Sequence, residues 1–337
     1  MPILNVMSER VLIDKYGRQL NYLRLSVTDR CNFRCYYCMP EEGIDFARRK
    51  DLMTFDEMLY LSSVFCKLGV SKIRITGGEP FVRNGIMPFL RKLSQTDNLK
   101  EITVTSNGTL SERYQAELLQ IGIRKINISL DSLSRERFAQ ITRRDNFDGV
   151  YASIFKLLDS GFDIKLNCVV AENKNIQDII PFIELTKNYA LSVRFLEEMP
   201  FNGSDGSQVQ SDWDYKRIYE YVAGQYTDIN RLISDANSTS VNYKIPGYAG
   251  SFGIIPSFSR TFCGTCNRIR LSATGELRTC LYGPPVVNLR DVLRKGVSAA
   301  DLEQEIIQAV SQRERDGYAA ELASQGDIHT SMSVLGG

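Results

Sequence analysis

The sequence predicts an α/β fold, an incomplete (β/α)6 barrel of TIM type with a small C-terminal domain of antiparallel strands and helices. Across residues 23–196, six β-branched runs alternate with helical patterns, an order that implies parallel strands joined by right-handed crossovers. Each of these strands carries one apolar face and one polar face. A parallel sheet covered on both sides would read as nearly continuous apolar runs. A closed eight-stranded barrel would fill its interior with Val, Ile and Leu. A polar inner face therefore implies an open barrel whose lumen is a binding cavity.

The elements follow in order. Residues 1–15 form an N-terminal extension and 16–200 the barrel. The strands are 23–28, 72–76, 101–105, 125–130, 163–170 and 191–196. In the first, Leu23, Leu25 and Val27 alternate with Arg24, Ser26 and Thr28, so opposite faces receive opposite chemistry. Ile73 and Ile75 alternate with Arg74 and Thr76, and Ile164, Leu166 and Cys168 with Lys165 and Asn167. Helices fill the gaps at 54–68, 84–93, 111–120, 147–160 and 176–189. Thr54 with Glu57 three residues on has the pattern of a capping box, and Gly69 and Gly161 stand where a helix-ending glycine belongs. Residues 201–240 connect, through a loop at 202–207 and a helix at 214–225. From 241 the pattern is short strands, 241–245, 251–258, 268–272 and 276–281, then helices at 288–293 and 301–313.

The chain has 337 residues, 43% hydrophobic and 24% charged, with a net charge of +1. No global field argues for nucleic acid or an anionic membrane, so any anion site must be local. No apolar stretch approaches the roughly 18 residues of a membrane span, and no export signal is visible, which points to the cytoplasm. Six of the eight cysteines fall in two clusters, which in such a chain read as metal ligands before disulfides.

The first cluster is Cys31, Cys35 and Cys38, just past the first strand. Three thiolates from one short loop can hold three corners of a [4Fe–4S] cube and leave the fourth iron open. A structural zinc site needs four protein ligands, and no fourth Cys or His lies nearby; His329 is the single histidine. Tyr37, between two ligands, can cover the cluster. The second is Cys263, Cys266 and Cys280, again three thiols, with a zinc knuckle completed by Cys66 or His329 as the alternative. Cys280 is placed in the returning strand of a hairpin. Cys66 and Cys168 read as buried core. Between the second cysteines and the hairpin, Arg268 and Arg270 share a strand face. Arg24, Arg74 and Lys165 project from the polar lumen face. Unpaired buried cations are expensive, so several aimed into one cavity imply an anionic occupant such as a triphosphate, unless some pair with Asp131, Glu197 or Glu198.

The CxxxCxxC loop after a first strand, with Thr76-Gly77-Gly78-Glu79-Pro80 after the second, resembles the radical S-adenosylmethionine (SAM) enzymes. With Cys263-x-x-Cys266-x-Arg268-x-Arg270-Leu271-Ser272 and a Gly336-Gly337 ending, the chain is similar, from about Tyr16 to Gly337, to the GTP 3′,8-cyclase family of molybdenum cofactor biosynthesis. Leu335 stands where that family usually has isoleucine. The resemblance implies a first [4Fe–4S] cluster on Cys31, Cys35 and Cys38 that cleaves SAM to a 5′-deoxyadenosyl radical. It implies a second on Cys263, Cys266 and Cys280 that binds guanine. Tyr37, Gly78, Ser129 and Met199 would meet SAM. Arg24, Arg74, Thr105, Lys165, Arg268 and Arg270 would meet GTP, and Arg268, Arg270, Gly336 and Gly337 would serve catalysis. It also implies an electron donor such as flavodoxin or ferredoxin, a homodimer, and cyclic pyranopterin monophosphate synthase as the next enzyme.

Overall fold

In a computed structural model, which describes residues 11–202, 212–324 and 330–336, the six expected strands form in the expected order. They are β1 (Tyr22–Ser26), β2 (Lys72–Thr76), β3 (Glu101–Ser106), β4 (Lys125–Ser129), β5 (Asp163–Val170) and β6 (Ser192–Glu197). Between them run α1 (Phe55–Lys67), α2 (Ile86–Leu93), α3 (Gln115–Gln120), α4 (Arg135–Thr142), α5 (Phe147–Asp159) and α6 (Ile179–Asn188). The Glu57 N–H donates to Thr54 Oγ1 at 3.1 Å and the Thr54 N–H to Glu57 Oε2 at 2.7 Å, which is the capping box expected at α1. Gly69 and Gly161 take φ of 95° and 81°, ending α1 and α5 as glycine can.

The alternation decides the layers. Leu23, Leu25, Ile73, Ile75, Val104, Ile128, Ile164, Leu166, Val193 and Phe195 are fully buried beneath the helices. Each contributes about 1.5–3 kcal/mol of burial. Cys66 and Cys168 belong to the same core. The opposite face turns inward.

The C-terminal segment adds α7 (Tyr215–Ala223), β7 (Asn230–Arg231), β8 (Val241–Lys244), β9 (Ser251–Ile255), β10 (Arg268–Leu271), β11 (Glu276–Arg278), β12 (Val287–Asn288), α8 (Leu289–Arg294), α9 (Ala299–Ser311), α10 (Gly317–Ala323) and α11 (Met332–Leu335). Its strands do not make a separate layer. All twelve strands form one sheet in the order β12-β11-β10-β1-β2-β3-β4-β5-β6-β9-β8-β7. β10 lies parallel to β1 and β9 parallel to β6, and only the outer ribbons are antiparallel. Alternation marks a strand but not its neighbour, so the sequence did not reveal this joining. Cys280 is not in a strand: β11 ends at Arg278, and the chain bends there before the cysteine. Helices α4, α10 and α11 were also not expected. α4 is polar on average, and the last two are short. The Gly203–Ser207 part of the expected loop, His329 and Gly337 lie outside the described residues.

Candidate active site

Cys31, Cys35 and Cys38 leave the C-terminal end of β1, where barrels place their chemistry. Their loop is pinned by its neighbours. The Gly78 N–H donates to Thr28 O at 2.8 Å and the Glu79 N–H to Arg30 O at 2.9 Å. A Cβ on Gly77 (φ 154°) would stand 2.5 Å from Thr28 O, and one on Gly78 2.3 Å from Arg30 O. The immediate reason for the paired glycines is thus backbone pressed on backbone. Glu79 is fully buried, and its carboxylate accepts from the Phe81 N–H, the Ser106 hydroxyl and the Asn107 N–H at 3.1, 3.0 and 2.7 Å. Burial pushes this carboxyl up to about 7, against the pull of those three donors. Asn107 in turn donates to Asn32 Oδ1 at 2.7 Å. On the other side Arg143 donates to the Arg34 and Met39 carbonyls at 3.2 and 3.1 Å. The Tyr37 hydroxyl donates to Asp131 Oδ2 at 2.8 Å.

All three thiols are free. Burial pushes Cys31 up to about 11, Cys38 to about 12 and Cys35 well above its usual range. After burial and Asp131, the other two sulfurs add to the rise at Cys35. Such thiols stay protonated at neutral pH unless a metal takes the proton's place. Among the described residues no three His, Cys, Asp or Glu side chains converge on a single metal ion. In a cubane each thiolate binds a separate iron.

The second triad is built differently. Cys263 and Cys280 are raised by burial. Burial opposes ionisation at Cys266 too, but the Arg268 and Arg313 guanidiniums bring it down to about 6. Arg268 donates to Cys266 Sγ at 3.2 Å and Arg313 at 2.9 Å.

Bordered by the second triad and by Tyr37 of the first cysteine loop lies a cavity of about 630 Å³, within the range of small-molecule sites. Arg24, Arg74, Thr105, Lys165, Arg268 and Arg270 all line it, with Cys263, Cys266 and Cys280. Tyr37, Ser129 and Met199 line it as well. Gly78 and the first three cysteines stand outside its wall, the cysteines flanking Tyr37 in sequence. Strand register sets Arg270 beside Arg24 and Arg24 beside Arg74 across β10, β1 and β2. Like charges at directly opposed strand positions destabilise a sheet. Burial and then Arg270 hold the Arg24 guanidinium well below its usual range. Burial and then Arg268 bring Arg270 down to about 10. The acids that could have neutralised this wall are engaged elsewhere. Glu197 accepts from the Tyr215, Phe258 and Ser259 N–H groups at 2.7, 2.8 and 2.6 Å. Asp131 holds Tyr37 and the Val169 N–H, and Glu198 lies beside the Tyr36 hydroxyl. Among the described residues, Arg74, Lys165, Arg194, Arg268 and Arg270 form no ion pair. Thr105 Oγ1, Tyr22 Oη and Asn167 Oδ1, all on the lining, are buried without a partner. The wall fits a polyanion with further polar groups.

The chain matches the Radical SAM superfamily over residues 25–186 and Molybdenum Cofactor Synthesis C over 191–319. It is 40% identical to the GTP 3′,8-cyclase of Peptoclostridium acidaminophilum over 293 residues, covering 86% of this chain and 89% of the relative. It is 38% identical to the mitochondrial GTP 3′,8-cyclase of Arabidopsis thaliana, covering 97% and 84%. The chain belongs to the GTP 3′,8-cyclase family. It is also 40% identical to molybdenum cofactor biosynthesis protein 1 of Bos taurus, over 90% of this chain and 48% of that one. It thus spans about half the length of several curated relatives it matches. In fold it resembles anSMEcpe with bound AdoMet (TM-score 0.59, 14% identity, 94% and 88% covered) and Streptococcus suis SuiB bound to S-adenosylmethionine (0.56, 15%, 80% and 62%). No helix among the described residues is long and apolar enough to cross a membrane.

For this member of the GTP 3′,8-cyclase family, Arg194 and Arg313 are among the cavity residues that sequence reasoning missed. Arg194 lines the lumen between Val193 and Phe195, the same alternation that singled out Arg24, so its signal was available. Arg313 follows α9 and carries no pattern. The tail is also placed: the Ser331 hydroxyl donates to Cys38 O at 2.6 Å and Arg270 to Gly336 O at 2.8 Å. Gly336 (φ 79°) sits where a Cβ would come 2.9 Å from Ser26 Cβ.

Arg194 yields a test. Burial, then Arg74, hold it down to about 10. A basic group depressed in the folded state costs stability wherever it stays protonated, and that cost fades only as pH rises through its folded value. Arg194→Gln should therefore stabilise the ligand-free chain at neutral pH by about 1 kcal/mol, after allowing for water in the cavity. It should also shrink the rise in melting temperature that GTP gives. An unchanged GTP effect would remove Arg194 from the anion site.

Proposed function

We propose that the chain converts GTP to (8S)-3′,8-cyclo-7,8-dihydroguanosine 5′-triphosphate, the first step of molybdenum cofactor biosynthesis. The observation that carries this reading is the join of β10 to β1. It sets Arg268 and Arg270, the lumen arginines Arg24 and Arg74, and the second cysteine triad in one wall. The free, half-buried thiols suit metal ligation: Cys31, Cys35 and Cys38 would hold one [4Fe–4S] cluster with SAM, and Cys263, Cys266 and Cys280 a second that would take the guanine. With SAM bound, the first cluster supplies a carbon-centred radical able to remove the 3′ hydrogen of the ribose.

The chain's own groups bind, orient and shield. Arg24, Arg74 and Lys165 take the phosphates and ribose, with Thr105 offering its free hydroxyl. Arg268 and Arg270, on the wall that carries the second cysteines, would contact the nucleotide. Tyr37, Ser129 and Met199 border the SAM side, and Gly78 lies against the loop that carries the first cysteines. Gly336, whose carbonyl Arg270 holds, and Gly337 after it would serve catalysis. Electrons would come from a small carrier such as flavodoxin or ferredoxin. The product would pass to cyclic pyranopterin monophosphate synthase, and the working state would be a cytoplasmic homodimer.

Anaerobic reconstitution with SAM, dithionite and GTP, followed by product analysis beside a peptide panel, tests the reading. Arg268→Ala should leave SAM cleavage measurable and abolish cyclisation. Wild-type yield of cyclised product from that variant would sink the role assigned to Arg268.

A further inference from the structure

Arg313 is 3% exposed, and both arms of its fork go to one residue. One donates to Cys266 O and the other to Cys266 Sγ, each at 2.9 Å. A planar guanidinium locked in this way holds both the position of the sulfur and a charge beside it. Its counter-charge is remote and shared. Asp14, 4% exposed, lies 4.0 Å from Arg313 Nε but already takes Arg18 Nε at 2.6 Å and the Tyr16 and Arg18 N–H groups at 2.9 and 3.0 Å. Arg18 in turn clamps the same loop by donating to the Cys263 and Glu314 carbonyls at 3.0 and 2.7 Å. Two buried guanidiniums thus share one carboxylate, and Arg268 brings a third cation to the same sulfur. The first triad differs: Cys31 Sγ receives the neutral Phe33 N–H and Asn107 amide at 3.4 and 3.8 Å.

We infer that Arg313 is a positioning residue that hydrogen-bonds the Cys266 sulfur and raises the reduction potential of the second cluster, with Asp14 as the opposing charge. The inference rests on the two-cluster reading. Hydrogen bonds to cluster sulfurs and local net charge set such potentials. Reduction adds negative charge, so a fixed cation at the sulfur favours the reduced form.

The test uses the full chain with Cys31, Cys35 and Cys38 replaced by alanine, so that only the second cluster reports. After anaerobic reconstitution with iron and sulfide, a potentiometric titration is followed by electron paramagnetic resonance. Arg313→Gln should move the midpoint to more negative potential. Arg313→Lys, which keeps the charge, should stay near the parent. Asp14→Asn should move it the other way. Midpoints of Arg313→Gln and Asp14→Asn that coincide with the parent's, or a positive shift for Arg313→Gln or a negative one for Asp14→Asn, overturn the inference. If Arg313→Gln fails to hold iron, Asp14→Asn decides alone: a positive shift supports the role and an unmoved midpoint rejects it. A parent with Arg313 intact that takes up no iron refutes the second cluster itself, and the inference falls with it.

Discussion

A chain in which Cys263, Cys266 and Cys280 are all serine is expected to keep about half its iron, to cleave SAM, and to form no cyclised product. The separation follows from how each triad is held. The first cysteine loop hangs on Gly78, Glu79, Asn107 and Arg143, all from the barrel. The second hangs on Arg18, Arg268 and Arg313. Neither network needs the other triad's sulfurs. Iron and sulfide analysis after anaerobic reconstitution gives the first reading, and 5′-deoxyadenosine with cyclised nucleotide gives the second. Full retention of iron would contradict the second cluster. Loss of all iron would mean that the two loops depend on each other.

Gly78→Ala should be nearly as severe, although it adds one methyl group. Its Cβ would stand 2.3 Å from Arg30 O and 2.8 Å from Asp29 O, and backbone cannot swing aside as a flexible side chain can. The loop must give way, at about 1–3 kcal/mol, and the cost falls on the segment that carries Cys31. Reconstituted iron should drop and SAM affinity should weaken while the far side of the barrel keeps its melting behaviour. Gly161→Ala (φ 81°, open space around the Cβ) is the control for backbone conformation without collision. Equal effects from the two would remove the contact with Arg30 as the cause.

Period-two alternation made most of this fold legible, because each barrel strand had to separate a helix-facing side from a wet lumen. The capping box at Thr54 and the glycines at 69 and 161 were legible because each is a local bargain between a side chain and its own backbone. The cysteine triads and Arg24, Arg74 and Lys165 came from spacing and from alternation. Long-range pairing was not legible: nothing in Arg268–Leu271 says that it lies parallel to β1. Nor could spacing show that Arg313 reaches back to Cys266, or that Glu197 is spent on N–H groups instead of neutralising the lumen. Cys280 slipped out of its strand because residues 279–281 look extended locally while the chain bends there.

The pairing of β10 with β1 also orders the events of synthesis. A ribosome makes β1 before β2 to β9 and its outer neighbour β10 after them. Until residue 268 has emerged, β1 shows an open edge, and β6 does so until residue 251. Unpaired parallel edges are slow to satisfy and prone to bind other chains. The nascent protein therefore passes through a stage at which the first cysteine loop exists but the wall beside it does not. Loading that loop with iron before β10 arrives would leave a cluster exposed to solvent and oxygen, so loading after β10 has paired with β1 is the sequence of events this topology favours.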